Sequence, residues 1–176
     1  ISVDGGINLD VQAGSGNDYL TVDAGTPADG TIDGGSGSDT IQSGNLTYYE
    51  LSNIEALDVV NVEATVAQLG AFERIFNATA GGAISIGLSG AGGFLDLYLR
   101  TDTDDPVRLE DRGLTSAISI IGTNLNDTLS GSTFDDRLTG GNGSDYLSGA
   151  GGNDTLDGGG GNDTIDVGQA GYQTAT

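Results

Sequence analysis

The sequence predicts an all-β chain wound as a parallel β-solenoid, with two short strands and two turns in each coil of 18 residues. Three observations predict it. A nine-residue block recurs without a gap from Gly122 to Asp166, and a branched aliphatic residue returns at one fixed place in every block. Glycine is the commonest residue, at 32 of 176, against only 2 prolines. Glycine at that level without a Gly-X-Y period excludes collagen and leaves either disorder or an architecture of many tight turns.

The five consecutive blocks read GTNLNDTLS, GSTFDDRLT, GGNGSDYLS, GAGGNDTLD and GGGGNDTID. Aspartate holds the sixth position each time, as Asp127, Asp136, Asp145, Asp154 and Asp163. The eighth position is Leu129, Leu138, Leu147, Leu156 and Ile165, and glycine opens every block. The block returns near the N-terminus. AGSGNDYLT places Asp18 and Leu20 in the two key positions, and GGSGSDTIQ places Asp39 and Ile41 there. Between them lies a degenerate copy, Gly25 to Asp33, which keeps Ile32 but has Gly30 where the aspartate belongs; three extra residues, Val22 to Ala24, precede it. A flexible low-complexity linker would share this composition but has no reason to hold an aliphatic residue at every ninth position.

Each block divides into a turn of six residues and a strand of three. Glycines supply the positive φ angles of the turn, and strand alternation sends the eighth-position residue to one face. Two blocks make a flattened coil, and stacked coils pair as parallel sheet at ~4.8 Å spacing. Leu129, Leu147 and Ile165 then line one inner wall, with Leu138 and Leu156 on the other. Turns 18 residues apart share an edge, so Asp127, Asp145 and Asp163 stack on one edge and Asp136 and Asp154 on the other. Carboxylates ~5 Å apart repel by roughly 1 kcal/mol per pair even in water. A cation between successive turns would convert that repulsion into cohesion. Aspartates that merely form solvated turns are the plainer alternative, which suits a lone residue better than a column.

The charge balance agrees with a cation. Twenty-six acidic residues face 5 basic ones, a formal net charge of −21. Self-repulsion of that size opposes compaction unless it is neutralised, and carboxylate and carbonyl oxygens are the ligands hard cations prefer. The same balance argues against nucleic acid and anionic membrane surfaces as partners. Without Cys or His there are no disulfides, zinc-type sites, thiol nucleophiles or imidazole triads. No apolar run approaches the ~20 residues of a membrane span, so membrane insertion is not expected.

The pattern G-G-x-G-x-D-x-U-x, with U a large aliphatic residue, resembles the nonapeptide of RTX (repeats-in-toxin, hemolysin-type) calcium-binding proteins. Gly140 to Ser148 matches it at every defined position. The resemblance implies a β-roll with two Ca²⁺-binding turns per coil. It implies several Ca²⁺ ions held by Asp18, Asp39, Asp127, Asp136, Asp145, Asp154 and Asp163. Carbonyls of the turn glycines would complete the sites: Gly14, Gly16, Gly34, Gly37, Gly131, Gly140, Gly143, Gly149, Gly152, Gly158 and Gly161. Mg²⁺ fits such a site less well, because it demands octahedral geometry and keeps its waters. The resemblance also implies type I export of the unfolded chain and folding outside the cell, where Ca²⁺ is met.

Residues 43–112 lack the nonapeptide. Alternation over Ala83 to Leu88 and Phe94 to Leu99 reads as strand, with shorter stretches at Leu57 to Val60 and at Val107 and Leu109. From Thr65 to Asn77, Val66, Leu69, Phe72, Ile75 and Phe76 recur at three- and four-residue steps, which predicts a short helical insertion near 65–77 with Thr65 as its cap. Asp102, Asp104, Asp105, Glu110 and Asp111 lie beside Arg100, Arg108 and Arg112 and admit surface ion pairs, a further Ca²⁺ site or, least of all, acid–base catalysis. The expected organisation is N-terminal repeat coils at 1–45, irregular coils with the helix at 46–112, C-terminal repeat coils at 113–168 and a tail at 169–176.

The chain begins at Ile1 rather than Met and reads as part of a larger protein. Its expected role is that of a non-enzymatic, extracellular or cell-surface Ca²⁺-binding segment that serves structure or assembly, as in a surface layer, adhesin or filament. Identical subunits or a cell-surface polysaccharide are the partners this suggests, with Tyr19, Tyr48, Tyr49, Tyr98 and Tyr146 available for stacking on sugars. A folding and secretion module of an attached enzyme or toxin is the alternative, and a carbohydrate-binding module is another. The HExxH and GxSxG motifs of RTX-linked enzymes are both lacking.

Overall fold

The computed structural model describes residues 2–3, 9–22, 30–43, 45–46, 49–58, 61–76, 83–97, 106–168 and 174–175. Every strand pair among them is parallel. Toward the N-terminus, Ser2–Val3, Tyr19–Val22, Thr40–Ser43, Ala56–Asp58 and Arg74–Phe76 form one wall, and Leu9–Gln12, Gly30–Asp33 and Tyr49–Ser52 the other. Toward the C-terminus, one wall holds Asn61–Thr65, Ile84–Gly90, Val107–Leu114, Thr128–Ser130, Tyr146–Ser148 and Thr164–Asp166. Phe94–Asp96, Ser119–Ile121, Arg137–Asn142, Thr155–Gly160 and Thr174–Ala175 form its counterpart. Asn45 bridges to Glu63 and so ties the first pair of walls to the second.

The expected inner walls are present. Leu129 pairs with Leu147 and Leu147 with Ile165, while Leu138 lies between Ile120 and Leu156. The four leucines are fully buried, and Ile165, in the last coil of its wall, is half-buried. In the N-terminal walls Leu20 pairs with Ile41 and Ile41 with Leu57, opposite Val11, Ile32 and Leu51. The aligned Asp18 and Asp39 are 21 residues apart there, and the three residues inserted between blocks account for the wider coil.

The helix is shorter than its apolar spacing predicts. It spans Val66–Ala71, with Thr65 in a capping box: the Thr65 hydroxyl accepts from the Gln68 N–H while the Gln68 side chain accepts from the Thr65 N–H. Phe72 is already extended, and Arg74–Phe76 is a strand in register with Ala56–Asp58. Ile75 is drawn into the wall against Leu57, so tertiary pairing overrides the local period. Gln68 also donates to the carbonyls of Leu46 and Tyr49, which anchors the helix to the coil beside it. Val66, Leu69 and Phe72 are buried, so Phe72 packs in the core; Asn77 lies outside the described residues.

Of the acidic cluster, Asp102, Asp104, Asp105 and Arg100 lie outside the described residues. Glu110 sits between Arg108 and Arg112, at 3.0 and 2.9 Å, with both arginines exposed and Glu110 partly so. That is a surface ion-pair network, of small energetic weight.

Candidate metal centres

At seven turn glycines, in the second and fourth block positions, the stack leaves no room for a side chain. A Cβ on Gly35, Gly141 or Gly159, second in their blocks, would strike the carbonyl of the residue one coil earlier: Gly14, Thr123 and Gly141 respectively. The same holds at the fourth position, where Gly37, Gly143, Gly152 and Gly161 lie on the carbonyls of Gly16, Leu125, Phe134 and Gly143. All seven glycines also have positive φ, so geometry and sterics both demand glycine. The fifth position gains a contact: Ser38, Ser144 and Asn153 donate their N–H groups to the side chains of Asn17, Asn126 and Asp135 one coil earlier.

The sixth-position carboxylates form the expected columns, with a bond between coils that spacing alone does not reveal. Oδ1 of each aspartate accepts the backbone N–H of the corresponding residue one coil earlier. Asp127 donates to Asp145 at 2.8 Å, Asp145 to Asp163 at 2.9 Å and Asp136 to Asp154 at 2.9 Å. Val107 and Ile118 fill the position above the first aspartate of each column and donate to Asp127 and Asp136. In the N-terminal column Asp18 donates to Asp39 and Asp39 to Glu55. Glu55 was not anticipated as a column member. Its signal is Leu57 two residues later, the same offset that separates every repeat aspartate from its aliphatic partner.

The second oxygen separates the turns into two kinds. Oδ2 of Asp18, Asp39, Asp145 and Asp154 is buried without a hydrogen-bond partner. By contrast, Oδ2 of Asp127 accepts from the Thr123 N–H at 2.6 Å and the Thr123 hydroxyl at 2.9 Å. Asp136 is served identically by Ser132, at 2.6 and 2.9 Å. The backbone explains the difference. In the turns with an orphaned oxygen the second block position has positive φ: Gly14 105°, Gly35 94°, Gly141 116° and Ala150 66°. Thr123 and Ser132 lack that conformation, and their N–H groups turn inward onto the carboxylate.

Carbonyls converge on the same oxygens. A Cβ on Gly140 would meet Oδ2 of Asp145 together with the carbonyl oxygen of Gly158, and a Cβ on Gly34 would meet Oδ2 of Asp39 together with that of Asn53. At Gly131 the pair is Asp136 Oδ2 at 2.7 Å and Gly149 O at 2.9 Å, and Gly122 faces Asp127 Oδ2 and Gly140 O. Of the glycines expected as donors, Gly140, Gly149 and Gly158 are thus placed against a carboxylate. Gly14 spends its carbonyl on the Ser36 N–H, and Gly16 and Gly143 present theirs to the next turn's glycine.

A buried carboxylate oxygen with no donor is costly. Burial pushes the Asp145 carboxyl up to about 6, helped by the charges of Asp127 and Asp163 and opposed by the Asp127 N–H. Burial likewise raises Asp127 and Asp136, against the hydrogen bonds from Val107 and Thr123 and from Ile118 and Ser132. Among the described residues no three carboxylates converge. Oxygen donors must therefore come as a carboxylate plus backbone carbonyls, a set that suits Ca²⁺. Orphaned Oδ2 atoms fit a hard cation at Asp18, Asp39, Asp145 and Asp154, with backbone carbonyls beside them at Asp39 and Asp145.

The tyrosines are less available for sugars than their number suggests. Tyr49 is buried. Tyr19 and Tyr146 expose their rings, but their hydroxyls are engaged by Asp58 and Asp166. Burial and the Asp58 hydrogen bond push Tyr19 up to about 12. Tyr48 and Tyr98 lie outside the described residues.

Fold and site together define a parallel β-roll whose acidic, glycine-built turns are shaped for oxygen-loving cations. Comparison with known families gives that class its name: a family model for the RTX calcium-binding nonapeptide repeat matches in four copies, at residues 10–27, 25–45, 121–156 and 139–170. The chain carries RTX calcium-binding repeats, and such repeats bind calcium. RTX repeat proteins are typically secreted and bind extracellular calcium. No curated protein and no solved structure matches the chain. Among the described residues no helix is long and apolar enough to cross a membrane.

Proposed function

We propose that this chain is an extracellular, non-catalytic Ca²⁺-dependent structural module that becomes a rigid roll when it meets millimolar calcium. The observation that carries the reading is the set of buried, unpartnered Oδ2 atoms on Asp18, Asp39, Asp145 and Asp154. A protein held together without cations would leave four buried acceptors uncompensated, each worth ~1–3 kcal/mol. Sites of extracellular-module affinity, with dissociation constants of ~10⁻⁴ to 10⁻³ M, stay empty in the cytosol and fill outside. At ten times the dissociation constant each filled site adds ~1.4 kcal/mol, so a handful decides folding. Export before folding is consistent with that arithmetic.

Assembly into a surface layer, adhesin or filament is the use we favour. Repeats on both sides of a non-repeat middle supply stackable coils in each half of the sequence. A folding and secretion module for an attached enzyme is the competing use. Circular dichroism with and without EDTA tests the calcium requirement: the part of the β-signal that the repeat coils supply in 5–10 mM Ca²⁺, about ten times the upper dissociation constant, should be lost on chelation. A spectrum indifferent to EDTA would remove the reading. Negative-stain microscopy in calcium separates the two uses, with sheets or filaments expected for assembly and monodisperse particles counting against it.

A further inference from the structure

The repeats are not equivalent, although the family match runs through all of them. We infer that the residue at the second block position is a switch that decides which turns take calcium, and that the Thr123–Asp127 and Ser132–Asp136 turns are closed to it by their own backbone. The inference rests on the calcium-dependent reading above and sharpens it from a property of the chain to a property of individual turns.

Three independent features coincide. At Gly14, Gly35, Gly141 and Ala150 the second position has positive φ and the aspartate of the same turn keeps a buried, unpartnered Oδ2; Gly159 shares that conformation, in the last turn, where Asp163 is only half-buried. At Thr123 and Ser132 the N–H and the hydroxyl both occupy that oxygen. The hydroxyl then accepts a second bond, from Leu125 N–H at 3.0 Å and Phe134 N–H at 3.2 Å, which locks the closed form. A carboxylate with two donors on one oxygen is already satisfied, and a cation would have to displace both. The orphaned oxygens, by comparison, are acceptors buried without a donor; Asp39, Asp145 and Asp154 are each no more than 2% exposed.

Position in the array gives the closed turns a role. Asp127 and Asp136 are the first aspartates of the two C-terminal columns, and above them stand Val107 and Ile118. Each closed turn therefore begins its column, joining the apolar middle coils to the calcium turns below. A start that folds without metal gives later coils a template on which to add.

The switch also marks Ala150. It holds the left-handed conformation without being glycine, at φ 66°, a conformation that L side chains rarely adopt. With positive φ and no hydroxyl, Ala150 leaves Oδ2 of Asp154 open as glycine does.

Calcium counting by native mass spectrometry on the whole chain tests the switch. The set is the unmodified protein, Thr123→Gly, Ser132→Gly, Asp127→Asn, Asp136→Asn and Asp145→Asn, each checked for β-structure by circular dichroism in calcium. Thr123→Gly and Ser132→Gly should each bind one ion more than the unmodified protein. Asp127→Asn and Asp136→Asn should leave the count unchanged, while Asp145→Asn lowers it. Unchanged counts in both glycine variants, or an ion lost in Asp127→Asn or Asp136→Asn, would overturn the switch and leave the calcium reading standing. If the unmodified chain bound no calcium, both would fall together. The two edges report separately, so a variant that does not fold on one edge leaves the other decisive.

Discussion

The middle coils and the C-terminal coils are stacked by the same parallel ladder but are held by different forces. Ile84, Ile86 and Leu88 all point inward from one strand, with Val107, Leu109 and Leu114 on the next and Leu95 and Leu97 across the core. The nonapeptide coils bury one leucine in every nine residues: Leu129, Leu138, Leu147 and Leu156. What they lack in apolar core they have in turns, where carboxylates, amides and carbonyls are packed to the limit that glycine allows. Apolar burial and cation-ready turns thus substitute for each other along one solenoid. The first needs only water; on the reading proposed above, the second needs an ion.

Chelation is the largest expected effect and the clearest way to break that contrast. In EDTA, hydrogen exchange should accelerate strongly across residues 137–166 while 84–90 and 107–114 stay protected. Equal loss in both stretches would mean that the middle coils depend on calcium as much as the repeats do.

Core truncation comes next. Leu147→Ala should cost ~2–5 kcal/mol in calcium and raise the calcium concentration needed for folding, followed by denaturant melts at several calcium levels. Ile86→Ala should cost a similar amount with no calcium dependence. A third comparison isolates the turns. Gly14→Ala meets nothing within 4 Å and should cost only the ~1–2 kcal/mol of its left-handed backbone. Gly161→Ala adds a collision with the Gly143 carbonyl, for a total of ~3 kcal/mol or more. Equal costs in thermal melts would show that the turns do not stack as tightly as described.

Smaller still is Ala150→Gly, expected to stabilise by ~0.5–1 kcal/mol once relief of strain is set against the added freedom of the unfolded chain. The smallest effect is that of pH without metal. Burial pushes the folded Asp145 carboxyl up to about 6, above the ~3.9 of a free aspartate. Between those values the folded state binds the more protons, so its stability falls as pH rises through the interval. In EDTA, lowering the pH from 7 to 5 should restore part of the C-terminal β-signal, and Asp145→Asn should abolish that gain.

These contrasts were unevenly legible in the sequence. The strict spacing of Asp127 to Asp163 and of their aliphatic partners gave the coil, its inner walls and its carboxylate columns, because a period of nine has few ways to be wrong. Glu55 was missed because a longer acid in a block without glycines hides the same register. The helix is shorter than its apolar spacing predicts because Phe72, Ile75 and Phe76 keep a helical spacing that pairing with Ala56–Asp58 overrules. The two kinds of turn were invisible for another reason. Thr123 and Ser132 look like tolerable departures from glycine, and only backbone direction reveals that they fill the oxygen their neighbours leave bare.

The ladder of bonds between residues 18 apart also sets how such a chain can change length. Loss or duplication of 18 residues within the C-terminal roll returns every later strand to its own wall and every later turn to its own edge. A change of nine would send each later leucine to the opposite wall and exchange the two acidic columns. Growth in whole coils leaves the cross-section unaltered, whereas a half-coil step mirrors everything downstream of it.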